Sequence, residues 1–232
     1  MKEYHQFYIN GSWVDPINGL NKLDVLNPAT EEPIGSIALG SSEDVNAAVD
    51  AAKNAFASFS SSEKEERVGY LEKIIEIYMK RSSEMAEAIS SEMGAPMSLA
   101  SKAHSPSGLG HFMTALETLK NYDFEQQKDG LFIRKEAIGV VGMITPWNWP
   151  INQIACKVAP ALAAGCTMIL KPSEIAPFNA MLMAEIIHEA GIPDGVFNLV
   201  NGDGPTVGEA MSSHPDICLL YTSDAADEIA SV

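Results

Sequence analysis

The 232-residue chain has little positive charge, few cysteines and no long apolar run. Its 15 Lys and Arg residues face 31 Asp and Glu residues, and the formal net charge of −16 repels nucleic-acid phosphates and anionic membranes. Three cysteines are too few for a disulfide framework, and neither they nor the five scattered histidines have zinc-site spacing. No apolar stretch reaches the roughly 18 residues that span a membrane. We therefore expect a soluble, cytoplasmic protein that binds neither nucleic acid nor membrane nor metal.

The first half of the chain is predicted to be short strands followed by helices. An Asn-Gly dipeptide between two apolar stretches is typical of a β-hairpin at 7–14. Apolar residues at helical spacing indicate the helices, and Ser41 with Asp44 forms a capping signal. The predicted helices begin near Ser41, Ser62, Ser83 and Ser98, the third ends at Gly94, and the fourth is bent or broken near Pro106 and Gly108.

From about residue 138, apolar strands alternate with helices. The segments 138–144, 167–170 and 196–200 are nearly continuous apolar runs, as expected of buried parallel strands. Helical patterns at 151–164 and 179–190 separate them. This alternation predicts an α/β fold in which a helical segment precedes a doubly wound, Rossmann-like parallel sheet.

The first candidate loop, 145–150, follows the first of these strands. In open α/β sheets ligands bind at the carboxyl ends of the strands, so the loop is well placed for a site. Two prolines and two tryptophans stiffen it around Asn148. A rigidly held side-chain amide can donate a hydrogen bond to a developing oxyanion. The alternative interpretation is a packing turn with an exposed asparagine, and the local sequence leaves both open.

The second candidate loop follows the next strand and carries Lys171 and Glu174. A lysine and a glutamate three residues apart can each bond one ribose hydroxyl. The carboxylate would also repel a 2′-phosphate, which favours NAD over NADP. The alternative is a solvated surface ion pair of little energetic consequence.

The third candidate loop is the glycine-rich segment 202–208. It departs from the G-x-G-x-x-G dinucleotide fingerprint because Val207 holds the sixth place and Gly208 the seventh. Pro205 fits the first turn of a helix, so the segment predicts a tight strand-to-helix turn. It does not predict phosphate binding.

Several motifs together resemble the aldehyde dehydrogenase superfamily, and they occur in the family's order and spacing from about Phe7 to Ile217. Ala137, where the family usually has proline, is a minor departure. The matching segments are 7–14 (FYINGSWV), 27–30 (NPAT), 92–96 (EMGAP), 139–150 (GVVGMITPWNWP), 163–166 (AAGC), 171–174 (KPSE) and 202–208 (GDGPTVG).

The resemblance implies NAD(P)-dependent oxidation of an aldehyde to a carboxylic acid. In that chemistry a cysteine thiolate attacks the carbonyl and a glutamate later activates water. The resemblance implies that Asn148 holds the oxyanion, that Trp149 contacts the small-molecule aldehyde, and that the parent protein is a homodimer or homotetramer. The implied cofactor-binding residues are Ile144, Thr145, Pro146, Trp147, Lys171, Ser173, Glu174, Gly204, Pro205 and Gly208.

The resemblance covers the N-terminal, cofactor-binding domain of the family, at residues 1–217, with an incomplete sheet at about 138–217. The nucleophilic cysteine and the general-base glutamate of the family belong to a later half. None of the three cysteines takes the place of the nucleophile. We therefore expect this chain to be inactive alone. A non-catalytic nucleotide-binding or structural half-fold is the alternative, and the glycine spacing speaks against an ordinary Rossmann dehydrogenase.

The last segment, 218–232, departs from the family. After Ile217 the family continues into a strand and then F-T-G-S, whereas 222–225 read Thr-Ser-Asp-Ala. Asp224 would repel a pyrophosphate there. Residues 218–228 also correspond to the translated read-through of a transposase sequencing adapter. We therefore expect 218–232 to be a non-native tail.

Overall fold

The structure is a computed structural model that describes residues 1–222. The strands are β1 (Lys2–Tyr4), β2 (Phe7–Ile9), β3 (Ser12–Val14), β4 (Lys22–Asn27), β5 (Glu32–Ala38), β6 (Glu125–Lys128), β7 (Leu131–Arg134), β8 (Val140–Ile144), β9 (Thr167–Lys171), β10 (Phe197–Leu199) and β11 (Leu219–Tyr221). The helices are α1 (Ser42–Phe59), α2 (Lys64–Met93), α3 (Met97–Leu99), α4 (Ser105–Lys120), α5 (Pro150–Ala164), α6 (Phe178–Glu189) and α7 (Glu209–Ser213), with π-helical segments at Ala100–His104 and Gly204–Gly208.

The largest sheet has the strand order β11-β8-β9-β10-β2-β3. Strands β11, β8, β9 and β10 run parallel, and the β2–β3 hairpin joins them antiparallel. Along β9 the side chains alternate between two cores. Met168 and Leu170 belong to the core that contains α2, α4, α5 and α6, whereas Ile169 belongs to the core under α1. Helices thus cover both faces of the sheet, and the predicted α/β fold class is confirmed.

Local signals in the sequence placed several elements correctly. The Asn-Gly turn forms with positive φ at both residues, 52° for Asn10 and 75° for Gly11, as the twist of a tight hairpin requires. Ser41 and Asp44 form the reciprocal capping box that begins α1. Gly94 ends α2 in the left-handed conformation, with φ of 82°.

The prediction of two helices between Ser62 and Met93 is wrong, because α2 runs without a break through Ser83. The segment around Ser83 contains neither glycine nor proline, so nothing interrupts the backbone hydrogen bonds. Ser62 does not cap α2 either. Its hydroxyl donates to the carbonyl oxygen of Phe59 at 2.6 Å, and Glu63 takes the N-cap position.

The predicted interruption of the fourth helix is confirmed. A π-helical segment, Ala100–His104, separates α3 from α4 and ends two residues before Pro106. Proline has no backbone N–H, so the chain cannot continue a regular α-helical ladder there. His104, the last residue of the π-helical segment, is buried where α4 begins.

The β6–β7 hairpin was missed by the sequence analysis. Every residue of both strands is exposed, so no apolar alternation marks it. Asp129 and Gly130, both with positive φ, form the turn, and this Asp-Gly dipeptide is the signal that could have identified it.

At the opposite edge from β3, β11 pairs parallel with β8. This strand includes the first residues of the expected non-native tail. The rest of that tail, residues 223–232 with Asp224, lies outside the described residues.

Arg81 joins α2 to α6 in a partly buried ion-pair network. Its guanidinium contacts Glu84, Glu185 at 2.6 Å and Glu189 at 2.8 Å, and its side chain is 18% exposed. We expect Arg81→Ala to lower the free energy of unfolding by about 1–2 kcal/mol, because it leaves acidic side chains without their partner. Chemical denaturation measures this. Lys80→Ala is the control, since its pair with Glu76 is solvent-exposed and should contribute almost nothing. Equal effects in the two variants would contradict the prediction.

Candidate functional site

The three candidate loops begin side by side at the carboxyl edge of the parallel strands. Ile144 at the end of β8 is in register with Lys171 at the end of β9, and the Thr145 N–H donates to the Lys171 carbonyl oxygen at 3.1 Å. A Cβ atom added to Gly208 would lie 3.9 Å from both the Ile144 Cδ1 and the Lys171 Cδ. The fold therefore brings residues of all three loops to one place.

Lys171 and Glu174 form an ion pair that is sheltered rather than solvated. The Lys171 Nζ lies 3.3 Å from the Glu174 Oε2 and also donates to the Pro172 carbonyl oxygen at 3.3 Å. The lysine side chain is only 4% exposed, whereas that of Glu174 is 35% exposed. The interpretation as a solvated surface pair is therefore wrong for Lys171. A sheltered donor and a partly exposed acceptor stand together here, which suits a vicinal diol.

The 145–150 loop holds two buried polar atoms that lack partners. The Asn148 Oδ1 and the Thr145 Oγ1 have no hydrogen-bond partner within residues 1–222. Buried polar groups are normally paired, so an unpaired amide oxygen on a stiff loop at the ligand edge of the sheet favours contact with a hydrogen-bond donor of a ligand. Trp147 and Glu174 line one cavity of about 700 Å³. Of the implied cofactor residues, Pro146 and Ser173 are half-buried.

Trp149 begins α5 and is 40% exposed. Its indole stacks on the buried imidazole of His104, with ring centroids 4.0 Å apart and planes 17° apart. Burial lowers the pKa of His104, so the imidazole is neutral at pH 7. One face of the indole is therefore fixed by the helical region that precedes it in sequence.

The glycine-rich loop forms the predicted tight turn, with Pro205 in the first turn of the π-helical segment. The Asp203 carboxylate accepts a hydrogen bond from the Thr206 N–H at 2.8 Å. The Thr206 N–H, which a bound phosphate would need as a donor, is thus already bonded to a side chain of the protein. Gly204 and Pro205 are exposed beside it.

Two buried charged residues outside these loops were missed by the sequence analysis. Lys157 on α5 is buried, and its ammonium donates to the Gln153 backbone and side-chain oxygens at 3.1 and 3.0 Å. A lysine inside an otherwise apolar helix pattern was the available signal. The second is Glu92, near the end of α2, whose partners lie on α6. No local pattern identifies such a contact.

Neither a membrane-spanning helix nor a metal site is found in the part of the chain that the structure describes. None of its helices combines the length and the apolar character that crossing a membrane requires. The same residues contain no group of three or more His, Cys, Asp or Glu side chains able to hold a metal ion. All three cysteines are free thiols.

Comparison with known protein families decides the assignment. The family model described as the aldehyde dehydrogenase family matches residues 13–222. This chain belongs to the aldehyde dehydrogenase family. A similar curated relative is 3-succinoylsemialdehyde-pyridine dehydrogenase from a Pseudomonas species, 52% identical over 221 residues. The alignment covers 95% of this chain and 46% of that protein, so the chain spans about half the length of the curated relatives it matches.

Solved aldehyde dehydrogenase structures share the fold of this chain. The Bartonella henselae aldehyde dehydrogenase superimposes with a TM-score of 0.92 at 50% identity, over 95% of this chain and 47% of its own. A mutant of aldehyde dehydrogenase C from Pseudomonas syringae, solved with NAD⁺ and octanal, has a TM-score of 0.91 at 48% identity. That match covers 93% of this chain and 44% of the other. The chain therefore has the fold of the N-terminal part of an aldehyde dehydrogenase.

Proposed function

We propose that this chain is the NAD-binding part of an enzyme that oxidises a small-molecule aldehyde to a carboxylic acid. The observation that carries the proposal is the convergence of the three strand-end loops around the sheltered Lys171–Glu174 pair. Family membership and the neighbour solved with NAD⁺ and octanal support it.

The ion pair fits the ribose of an adenine dinucleotide. The Lys171 ammonium donates to one ribose hydroxyl, and the Glu174 carboxylate accepts from the other. A 2′-phosphate in the same position would face the carboxylate, which favours NAD over NADP. The remaining proposed contacts come from the neighbouring loops: Ile144, Thr145, Pro146, Trp147, Ser173, Gly204, Pro205 and Gly208.

Asn148 is the proposed oxyanion donor. Its side-chain amide lies on the stiff loop after β8, where the Nδ2 group can donate a hydrogen bond. Donors held in place before the reaction stabilise a developing negative charge without reorganisation. Trp149, with one indole face stacked on His104, offers the other face to the aldehyde. Bound NAD supplies the hydride acceptor of the reaction.

We further propose that the nucleophilic cysteine and the general-base glutamate are not among the residues of this chain. Cys166 is buried in the turn between α5 and β9, Cys156 lies within α5, and Cys218 directly precedes the edge strand β11. The chain alone would then bind cofactor without turnover. The parent enzyme is proposed to be a cytoplasmic homodimer or homotetramer, and a non-catalytic nucleotide-binding protein is the alternative.

Isothermal titration of the purified chain with NAD tests the proposal. We expect saturable binding that Lys171→Ala and Glu174→Ala each weaken about tenfold, because each variant removes a charge-assisted hydrogen bond. NADP should bind more weakly than NAD, and Glu174→Ala should narrow that difference.

Lys53→Ala is the matched control for this titration. It removes a lysine from an exposed ion pair with Asp216, at 2.7 Å, and should leave NAD binding unchanged. Binding that neither loop variant alters would overturn the assignment of the ribose contacts. Oxidation of an aldehyde with reduction of NAD by the chain alone would overturn the proposal that its catalytic residues lie elsewhere.

A further inference from the structure

A buried carboxylate from α2 holds the start of α6. The two oxygens of Glu92 accept hydrogen bonds from the Phe178 N–H, from the Asn179 N–H at 2.9 Å and from the Asn179 Nδ2 at 2.7 Å. Glu92 is fully buried, and it lies 86 residues before Phe178 in the chain. The contact is thus a long-range helix cap.

This cap completes the hydrogen bonding of the first turn of α6. Pro177 stands at the N-cap position and has no polar side chain to offer. The N–H groups of Ala180 and Met181 donate to the Pro177 carbonyl oxygen at 3.1 and 3.0 Å. Of the N–H groups in the first turn, those of Phe178 and Asn179 have no acceptor within the helix, and both donate to Glu92.

The same contact fixes the end of the loop that presents Glu174. The loop, residues 172–177, leaves the central strand β9 at Lys171 and reaches α6 at Phe178. The Asn179 Nδ2, held by Glu92, also donates to the Ala176 carbonyl oxygen at 2.7 Å. Glu92 and Glu174 line the same cavity, so the cap lies close to the pair at the loop surface.

We propose that Glu92 is a positioning residue for the cofactor: by capping α6 and, through Asn179, holding Ala176, it sets the conformation of the 172–177 loop and hence the place of Glu174. This inference rests on the proposed function, since it assumes that the Lys171–Glu174 pair binds the ribose. Glu92 itself does not touch the cofactor.

The ionisation of Glu92 links this positioning to pH. Burial raises its pKa to about 7, against the lowering effect of its hydrogen bonds. Lys2 of β1 is the charged group that acts on it, and Asp24 of β4, Glu31 of the following turn and Glu174 of the loop line the same cavity. Protonation turns one acceptor oxygen into a donor. The Asn179 Oδ1, a buried acceptor without a partner within residues 1–222, can accept a hydrogen bond from that O–H only if its amide rotates away from Ala176.

NAD affinity should therefore fall as the pH falls through about 7. Titrations about one unit below and one unit above that value measure the change. Glu92→Gln mimics the protonated carboxyl, so we expect about tenfold weaker binding above pH 7 and a flat pH profile. Asn179→Ala keeps both backbone contacts with Glu92 and loses the two side-chain bonds, to the Glu92 carboxylate and to the Ala176 carbonyl oxygen, so about threefold weaker binding is expected.

Folding stability should change with pH in the opposite direction. A carboxyl whose folded pKa lies above its unfolded value of 4.5 stabilises the fold below 4.5 and loses that contribution as the pH rises to about 7. Over this window the wild type should lose stability relative to Glu92→Gln while its NAD affinity rises. If Glu92 had a purely structural role, folding stability and NAD affinity would change in the same direction with pH.

Arg81→Ala is the matched control, because it weakens the same α2–α6 contact through Glu185 and Glu189, away from the loop. It should lower the melting temperature and leave NAD affinity and its pH profile unchanged. Equal loss of affinity in Arg81→Ala and Glu92→Gln, or NAD binding unaffected by Glu92→Gln and Asn179→Ala, would overturn the positioning role alone. Absence of NAD binding by the wild type would overturn the proposed function and this role with it.

Discussion

Replacing Gly208 with leucine is expected to weaken NAD binding by about a hundredfold or more while the chain stays folded. Gly208 lies in a helical conformation, so a larger residue brings no backbone strain. A Cβ atom there meets only ordinary contacts, 3.7 Å from the Asp203 carbonyl oxygen and 3.9 Å from Ile144 and Lys171. The rest of a leucine side chain would occupy the space between the loops, which we propose for the cofactor.

Titration calorimetry with NAD measures the loss of binding, and a thermal melt measures whether the variant stays folded. Gly69→Leu makes the same substitution on α2 at a position with nothing within 4 Å, and it should leave NAD binding unchanged. Tight NAD binding by folded Gly208→Leu would contradict the proposed location of the cofactor. A large loss of stability would show instead that Gly208 serves packing.

Replacing Gly195 with alanine is expected to lower the free energy of unfolding by about 4 kcal/mol. Gly195 has φ of +81°, a left-handed conformation that costs an L-residue about 1–2 kcal/mol. An added Cβ would also lie 2.6 Å from the Ala51 carbonyl oxygen on α1, which is backbone and cannot rotate away. The clash pushes α1 off the sheet near β10 and accounts for the larger share of the cost.

Gly191→Ala is the matched control, because Gly191 has a similar φ of +71° and nothing within 4 Å. It should cost about 1 kcal/mol, the backbone strain alone. Chemical denaturation of both variants gives the difference in their free energies of unfolding. That difference is the cost of the clash with α1. Equal costs in the two variants would show that α1 adjusts freely and that the approach is not a constraint.

The elements that could be predicted from the sequence are those specified by neighbouring residues. The Asn10–Gly11 turn, the Ser41 capping box, the Gly94 helix end and the apolar runs of β8 and β9 each need only a short segment to form. Because parallel strands end at the same edge of a sheet, their loops could also be expected to meet there. The π-helical irregularity before Pro106 follows from its missing N–H.

Predictions failed where the local sequence is compatible with more than one structure. The serines at 62 and 83 looked like helix starts, yet α2 passes Ser83 because a continuous buried face against α4 and α6 outweighs a weak local preference. The β6–β7 hairpin was not predicted because its strands are exposed on both sides and show no apolar alternation.

Other features depend on which distant segments meet when the chain folds. Whether Lys171 was a surface charge or a buried donor was open until the sheet and the loops enclosed it. Gly94 and Pro28, from two separate motifs, come so close that a Cβ on Gly94 would lie 2.6 Å from the proline ring. The capping of α6 by Glu92 joins residues 86 positions apart. Short-range backbone preferences are encoded locally, whereas burial, desolvation and the pairing of buried polar groups depend on the packed whole.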